Sequence, residues 1–253
     1  MHEAAQLFDL TGRVACITGA SSGLGRRATK ALAQAGARVV GVARRADALQ
    51  EMAAEIGETA AAVPGDVADK GSLDALREAI IAPFGAPDIV VHAAGINTRQ
   101  PADEVTEEDW NTSLALNLSA PFFLSQALVP TMKERGWGRI VHFASLQSFR
   151  AFPAGIAYGA TKAGITQLTR AMAEAWSRHG ICINAIGPGF FPTELTQAVF
   201  EDDERAARNA SQTCIGRNGR LSDIDGPLVF LCSKASDYVT GQVLMVDGGY
   251  TAK

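Results

Sequence analysis

The stretch RVACITGASSGLG, residues 13–25, decides the fold of this chain. An apolar run, 13–18, is typical of a buried strand and leads directly into the glycine-rich turn 18–25, where a helix predicted over 23–35 begins. Glycines allow the backbone to turn sharply and to approach a pyrophosphate closely, and the helix N-terminus offers free N–H groups with partial positive charge. Ser21 and Ser22 add hydroxyl donors. This placement predicts a dinucleotide-phosphate site formed by Gly19, Ser21, Ser22, Gly23, Leu24 and Gly25.

The same alternation of short apolar runs and amphipathic stretches continues along the chain. It predicts strands at 13–18, 38–43, 60–63, 88–92, 139–144, 181–186 and 242–246, and helices at 23–35, 46–56, 72–82, 107–134 and 155–178. Strands that are apolar on both faces and alternate with helices indicate a parallel sheet covered on both sides. No Pro/Ser-rich linker or repeat interrupts the pattern. We therefore predict an α/β fold, a single doubly wound Rossmann-type domain over 1–253 with about seven parallel strands.

Composition narrows the classes of protein. The chain has 253 residues, of which 47% are hydrophobic and 20% charged, with a formal net charge of −4. This composition is that of a folded chain and not of a disordered one. We see no apolar run near ~18 residues and expect no transmembrane span, and Met1–Leu10 carries Glu3 and Asp9, so we expect no signal peptide. Mild acidity without a Lys/Arg cluster argues against nucleic acid and anionic membrane as partners.

The cysteines and histidines show no metal-ligand spacing, and we expect no metal. Cys16 and Cys182 lie in apolar strand-like runs without a CxxC pair, which we interpret as buried thiols in a reducing cytoplasm. His92 and His142 fall in predicted strands and are assigned to the core or to its border with the site.

A tyrosine and a lysine four residues apart carry the predicted chemistry. Tyr158 and Lys162 share one face of the helix predicted over 155–178. A free phenol has a pKa of about 10, too high for a base near neutrality. A neighbouring ammonium lowers that pKa usefully only in a closed, partly dry cleft. Ser145 ends the strand 139–144, at the sheet edge where ligands bind, and is placed to hydrogen-bond a substrate oxygen beside Tyr158.

The turn TGASSGLG and the segment YGATK, 158–162, resemble the short-chain dehydrogenase/reductase family, over about residues 10–249. The resemblance implies an NAD(P)-dependent oxidoreductase with an Asn-Ser-Tyr-Lys tetrad, here Asn117, Ser145, Tyr158 and Lys162. It implies that Asn117 holds a water through its helix backbone and links Lys162 to solvent. Tyr158 is then expected to protonate a carbonyl oxygen as hydride arrives, while Lys162 lowers the pKa of Tyr158 and holds the nicotinamide ribose.

The end of the second strand predicts which cofactor binds. A carboxylate there would accept hydrogen bonds from a ribose 2′-OH and repel a 2′-phosphate. Instead the strand ends in Ala43, and Arg44 offers a planar cationic fork for the phosphate. We predict NADP(H) rather than NAD(H). The resemblance adds cofactor contacts from Tyr158, Lys162, Asp66, Val67, Ala94, Gly95, Pro188, Gly189 and Thr193.

One motif departs from the family pattern. Where the family often carries NNAG, this chain has His92-Ala93-Ala94-Gly95. Ala94 and Gly95 keep the close backbone approach. The hydrogen bonds of the two missing asparagines must be replaced, so we expect the change to affect local rigidity more than activity.

Substrate residues are expected where two strand ends flank the cleft. The segment S-x-Q-S from Ser145, the motif Arg99-x-Pro101 and the chain ending are most similar to gluconate 5-dehydrogenase-like members of the family. Arg99, Gln147 and Arg150 are the candidates for binding a carboxylate and hydroxyls. We predict a ketone/secondary-alcohol interconversion on a small polar substrate such as a keto sugar acid or polyol. The alternatives are a 3-oxoacyl-carrier-protein reductase and, in another class, a non-catalytic dinucleotide-sensing module.

The segment 155–178 carries more apolar side chains than one sheet face needs: Ala163, Ile165, Leu168, Met172 and Trp176. We therefore predict a homo-oligomer. The resemblance implies a homotetramer in which the helices near 107–134 and 155–178 pack against symmetry mates.

Overall fold

The predicted strands all form and make one parallel sheet. In the computed structural model, which describes residues 3–253, the strands are β1 (Val14–Thr18), β2 (Arg38–Ala43), β3 (Ala60–Pro64), β4 (Ile89–His92), β5 (Gly138–Phe143), β6 (Ile181–Pro188) and β7 (Val243–Val246). Met1 and His2, at the start of the segment predicted not to be a signal peptide, lie outside the described residues. The order across the sheet is β3-β2-β1-β4-β5-β6-β7, with every pair parallel. The predicted doubly wound fold is confirmed. From β1 the chain adds strands first on one side, β2 and β3, and then on the other, β4 to β7, so the crevice of the sheet lies between β1 and β4.

Helices cover both faces of the sheet. They are α1 (Glu3–Gln6), α2 (Gly23–Gln34), α3 (Ala46–Ile56), α4 (Leu73–Ile81), α5 (Glu107–Leu114), α6 (Ala120–Arg135), α7 (Ile156–Trp176), α8 (Gln197–Phe200), α9 (Asp203–Ser211) and α10 (Asp225–Cys232). One apolar core lies between the sheet and α2, α3 and α10, and a second lies between the sheet and α4, α6 and α7. The residues of β1, β4 and β5 are buried on both faces because a helix layer covers each side of the sheet, whereas the edge strands β3 and β7 are mostly half-buried.

The segment predicted as one helix over 107–134 contains a π-helical turn. α5 is followed by the π turn Ala115–Ser119, and α6 continues from Ala120. The continuous run Glu107–Arg135 holds an 18-residue window of mean hydropathy 1.2, apolar and long enough to cross a membrane by length and composition alone. Its apolar side chains Leu124, Leu128 and Met132 are buried in the second core. Burial in the second core accounts for the apolarity of these three side chains.

The apolar face of α7 is used mainly within the chain. Ile165 and Met172 are buried, Leu168 and Trp176 are half-buried, and Ala163 alone of the five residues is exposed. Part of this apolar face is therefore covered within the chain, and the homo-oligomer stays a prediction.

The structure contains free cysteines. Cys16 and Cys182 are buried, as predicted, and so is Cys232, whereas Cys214 is exposed. Burial raises the pKa of Cys16 to about 12, so this thiol stays protonated. Among residues 3–253, no group of three His, Cys, Asp or Glu side chains is arranged to hold a metal ion.

Candidate active site

The carboxyl ends of the central strands open into a cavity of about 950 Å³. All of the predicted cofactor residues line it, from the glycine-rich turn through Thr193. Ser145, Tyr158 and Lys162 line it too, as do Arg99 and Gln147. The fold thus brings together residues from the ends of six strands, β1 to β6, as expected for a parallel sheet.

Gly19 and Gly25 of the glycine-rich turn lie so close to other main-chain atoms that a side chain at either position would clash. A Cβ on Gly25 would lie 2.2 Å from the carbonyl oxygen of Gly19. A Cβ on Gly19, whose φ is +69°, would lie 2.7 Å from the main-chain nitrogen of Ala94. Ser22 precedes α2 without capping it through its side chain, so the first N–H groups of the helix face the cavity unpaired. This cradle fits a pyrophosphate.

The second arginine after β2 holds a position that the sequence did not indicate. Arg44 is exposed at the cavity rim, whereas Arg45 donates to Ser21 Oγ at 3.2 Å and to both carboxylate oxygens of Glu194 at 3.0 and 2.9 Å. Ser22 Oγ donates to the same carboxylate at 2.9 Å. Glu194 therefore bridges the glycine-rich turn and the segment after β6. Arg45 and Glu194 are 149 positions apart, and no local pattern pairs them.

Ser145 and Tyr158 meet at the floor of the cavity. Ser145 begins the short turn Leu146–Ser148, and its Oγ accepts from the main-chain N–H of Gln147 at 3.1 Å. Tyr158 is 9% exposed. Burial raises the pKa of Tyr158, and the hydrogen bond with Ser145 and the charge of Arg99 oppose that rise. The phenol is therefore held in its protonated form at neutral pH.

Lys162 is buried one helical turn beyond Tyr158. Its Nζ donates to the carbonyl oxygen of Phe143 at 2.7 Å and lies 5.6 Å from the centre of the Tyr158 ring. Burial lowers the pKa of Lys162 to about 8. Lys162 Nζ is directed at the Phe143 carbonyl, and burial is the main influence on the phenol of Tyr158. That Lys162 lowers the pKa of Tyr158 stays a prediction.

Asn117 lies behind the cavity wall rather than in it. It sits in the π turn, 1% exposed. Its Oδ1 accepts from Ile96 N at 2.9 Å, and its Nδ2 donates to Ile96 O at 2.9 Å and to Thr161 Oγ1 at 3.1 Å. Thr161 in turn donates to the carbonyl of Tyr158 at 2.8 Å. Asn117 therefore connects the loop that follows β4, at Ile96, to α7, the helix that carries Tyr158. Its position in a π turn is typical of a functional site.

Two buried histidines lie beneath the site, and one of them, His92, stands where the family often carries the first asparagine of NNAG. His92 and His142 are register partners in β4 and β5, stacked with ring centres 5.3 Å apart. His92 Nε2 bonds with Ser125 Oγ at 2.8 Å. His142 Nδ1 lies 2.9 Å from Thr169 Oγ1, whose one proton goes to the carbonyl of Ile165 at 2.8 Å. His142 must therefore donate from Nδ1, which leaves its buried Nε2 as an unpaired acceptor.

Both imidazoles are neutral. Burial, aided by the charge of Lys162, lowers the pKa of His142 to about 3. Burial and the neighbouring His142 lower the pKa of His92 well below its ordinary value. The pair joins β4 and β5 to α6, which follows the π turn of Asn117, and to α7, which carries Tyr158 and Lys162.

The predicted substrate residues divide into two groups. Arg99, with φ +54°, donates to the carbonyl of Leu195 at 2.5 Å and so joins the loop after β4 to the segment after β6. Gln147 packs where Gly155 and Gly159 leave space, and its Oε1 is buried without a partner. Arg150 is not brought to the cavity, because its guanidinium turns away to the main-chain oxygen of Lys253 at the chain end.

A parallel sheet whose crevice holds a phosphate cradle beside a Ser-Tyr-Lys group defines a dinucleotide-dependent oxidoreductase. The family model described as "Enoyl-(Acyl carrier protein) reductase" matches residues 19–251. The chain belongs to the short-chain dehydrogenase/reductase family.

Relatives in this family align along nearly the whole chain. Gluconate 5-dehydrogenase of Gluconobacter oxydans is 40% identical over 248 residues, covering 97% of each chain. D-threitol dehydrogenase of Mycolicibacterium smegmatis is 37% identical, covering 97% of this chain and 95% of the relative. The crystal structure of a gluconate 5-dehydrogenase from Burkholderia cenocepacia in complex with NADP and tartrate superposes with a TM-score of 0.93 at 37% identity, covering 99% of this chain and 100% of that one.

Proposed function

We propose that this protein is an NADP(H)-dependent oxidoreductase that interconverts a ketone and a secondary alcohol in a small polar substrate, a keto sugar acid or a polyol. The observation that carries the proposal is the shared cavity: Ser145, Tyr158 and Lys162 line the same space as the glycine-rich turn. The named relatives act on gluconate-type and polyol substrates. A complete tetrad argues for turnover rather than for a dinucleotide-sensing module.

NADP(H), when bound, supplies or accepts the hydride at the carbon of the reacting group. In the direction of reduction, Tyr158 donates its phenolic proton to the substrate oxygen, and that oxygen becomes the alcohol hydroxyl. Ser145 Oγ hydrogen-bonds the same oxygen and fixes its position. Because burial raises the pKa of Tyr158, the phenol is protonated and ready to act as the acid at neutral pH.

Lys162 and Asn117 prepare Tyr158 for the next cycle. The pKa of Lys162, about 8, lies close enough to neutrality for this ammonium to pass on a proton and regain one. Through its three hydrogen bonds, Asn117 fixes the distance between Ile96, in the loop after β4, and α7, which carries Tyr158. We assign it the positioning of the proton path from Lys162 to solvent.

The cofactor preference follows from the charges at the end of β2. Arg44 and Arg45 both line the rim where an adenosine 2′-phosphate would lie. Position 43, where a carboxylate would select a free 2′-hydroxyl, is occupied by alanine. Arg45 is already aimed at Ser21 in the glycine-rich turn. We therefore assign the phosphate to Arg44, Arg45 and Ser21.

A small anionic substrate fits the rest of the cavity better than an acyl chain. Beyond Tyr158 the wall carries Arg99 and Gln147 as well as the aromatic rings of Phe152 and Phe190. The polar groups suit a carboxylate and hydroxyls. The relative from Burkholderia cenocepacia is described in complex with tartrate, a hydroxy dicarboxylate.

The test is an NADPH-oxidation assay with three substrates at matched concentrations: 5-keto-D-gluconate, D-erythrulose and an acetoacetyl thioester. We expect 5-keto-D-gluconate to give the highest kcat/KM and NADPH to be used in preference to NADH. Turnover of the thioester with no turnover of the two sugars would replace the proposal by the acyl reductase. Binding of NADPH without turnover of any carbonyl would favour the sensing module.

We further propose a cytoplasmic homotetramer. The four cysteines are free, in keeping with a reducing compartment. The outer face of α7 carries the exposed residues Ile156, Ala160, Ala163 and Ala171, small or apolar groups that allow close approach of a second copy. Light scattering at micromolar concentration should give four times the mass of one chain, and the mass of one chain would refute the assembly.

A further inference from the structure

The helix that closes the outer wall of the cavity presents two polar side chains inward. Arg205 and Asn209 lie one turn apart on α9, and both line the cavity that Tyr158 occupies. Positions four apart share one helix face, so the two side chains point to the same region. Neither belongs to the tetrad, to the glycine-rich turn or to any motif of the sequence.

Arg205 is the cation of this wall that remains available to a ligand. Arg99 is engaged by the carbonyl of Leu195, and Arg150 lies outside the cavity. Within residues 3–253 the ion-pair partner of Arg205 is Asp202, with Nε 3.6 Å from Oδ2, and the Arg205 side chain is 52% exposed. A contact of this length and exposure holds the guanidinium weakly, so a carboxylate entering the cavity can recruit it.

Asn209 contributes an amide to the same wall. It is 9% exposed and lines the cavity. Gln147 lines the cavity as well. A side-chain amide offers both a donor and an acceptor, so Asn209 is suited to hydrogen-bond a hydroxyl of a ligand beside Arg205.

We propose that Arg205 and Asn209 form the subsite for the far end of the substrate: Arg205 binds the carboxylate and Asn209 an adjacent hydroxyl, while the ketone sits between Ser145 and Tyr158. The inference rests on the proposed function and names the class of substrate that the lid helix selects, a keto acid with its carboxylate several carbons from the ketone. It also assigns the carboxylate to α9 instead of to Arg99 and Arg150, the arginines that the sequence predicted for it.

Arg205→Gln is the first test, with Arg208→Gln as the matched control, because Arg208 is exposed on the same helix and does not line the cavity. We expect Arg205→Gln to raise KM for 5-keto-D-gluconate by about tenfold or more, as for a lost charged hydrogen bond. KM for the uncharged D-erythrulose and the Kd for NADPH should stay within about twofold. Arg208→Gln should leave all three unchanged.

Asn209→Asp is the second test, because it keeps the shape of the side chain and adds a negative charge. We expect it to raise KM for 5-keto-D-gluconate several-fold more than KM for D-erythrulose, since two carboxylates repel each other. Equal changes for both substrates in either variant would show that α9 only shapes the lid and would overturn the inference. So would an unchanged KM for 5-keto-D-gluconate in Arg205→Gln.

The two levels of the proposal fail differently. If the wild-type protein turns over no keto sugar acid, the proposed function fails. If the wild-type protein does so and the ratio of KM values for charged and uncharged substrates is the same in Arg205→Gln, only the subsite fails.

Discussion

Lowering the pH should destabilise this protein through the buried histidine pair. His142 has a pKa of about 3 in the folded protein against 6.5 for a free imidazole. The unfolded chain therefore takes up the proton first as pH falls, so the contribution is fully present above about pH 7.5 and is lost as pH drops through 6.5 toward 3. With these two pKa values the linkage relation gives a loss of about 2 kcal/mol at pH 5 from His142 alone.

The perturbation that isolates this contribution is His142→Asn. At pH 8 the variant should be less stable than the wild type by about 1–3 kcal/mol, because Thr169 loses its donor and His92 loses its stacking partner. Between pH 8 and pH 5 that difference should shrink by about 2 kcal/mol, because asparagine takes up no proton.

The assay is urea unfolding at pH 8, 7, 6 and 5 at one fixed subunit concentration, which keeps any assembly equilibrium the same. His179→Asn, at a half-buried surface turn, measures the background effect of replacing a histidine. A wild-type minus His142→Asn difference that is constant across this range would refute the reasoning.

Four further changes test the site. Tyr158→Phe should lower kcat by about 10²–10⁴-fold, because the acid is lost, with the Kd for NADPH unchanged by fluorescence titration. Arg44→Asp should move the ratio of kcat/KM for NADPH over NADH toward NADH by about tenfold or more, and a wild type that already prefers NADH would contradict the assignment. Glu194→Gln should tighten NADPH binding by at most about fivefold, because it frees Arg45 from an exposed ion pair worth ~1 kcal/mol or less. Gly19→Ala should abolish NADPH binding, since its Cβ would lie 2.7 Å from Ala94 N, and circular dichroism would distinguish this from loss of the fold.

The sheet and most helices could be predicted because their signals are local. β2 and α3 occupy the predicted residues 38–43 and 46–56, since periodicity and turn residues report burial directly. The predicted helix over 107–134 missed its π turn, because a single i→i+5 turn leaves the apolar pattern almost unchanged. β6 runs to Pro188, two residues further than predicted, because pairing with β7 extends it.

The sequence by itself determined the class of the site. The spacing of Tyr158 and Lys162 puts both on one helix face, and Ser145 and the glycine-rich turn follow strands whose carboxyl ends must meet at one edge of a parallel sheet. These relations follow from helix and strand geometry, so one-dimensional spacing is enough to predict them.

Only the tertiary structure decided which long side chains serve that site. Arg45 pairs with Glu194 across 149 positions, Arg205 enters the cavity from α9, and Arg150 turns away to the chain end. Lys162 donates to a main-chain carbonyl, and because every residue has such a carbonyl, the sequence could not indicate this partner. An arginine side chain is long, so its partner depends on which charged groups the fold places within several ångströms of it. Neighbours in the sequence, such as Arg44 and Arg45, therefore have different contacts.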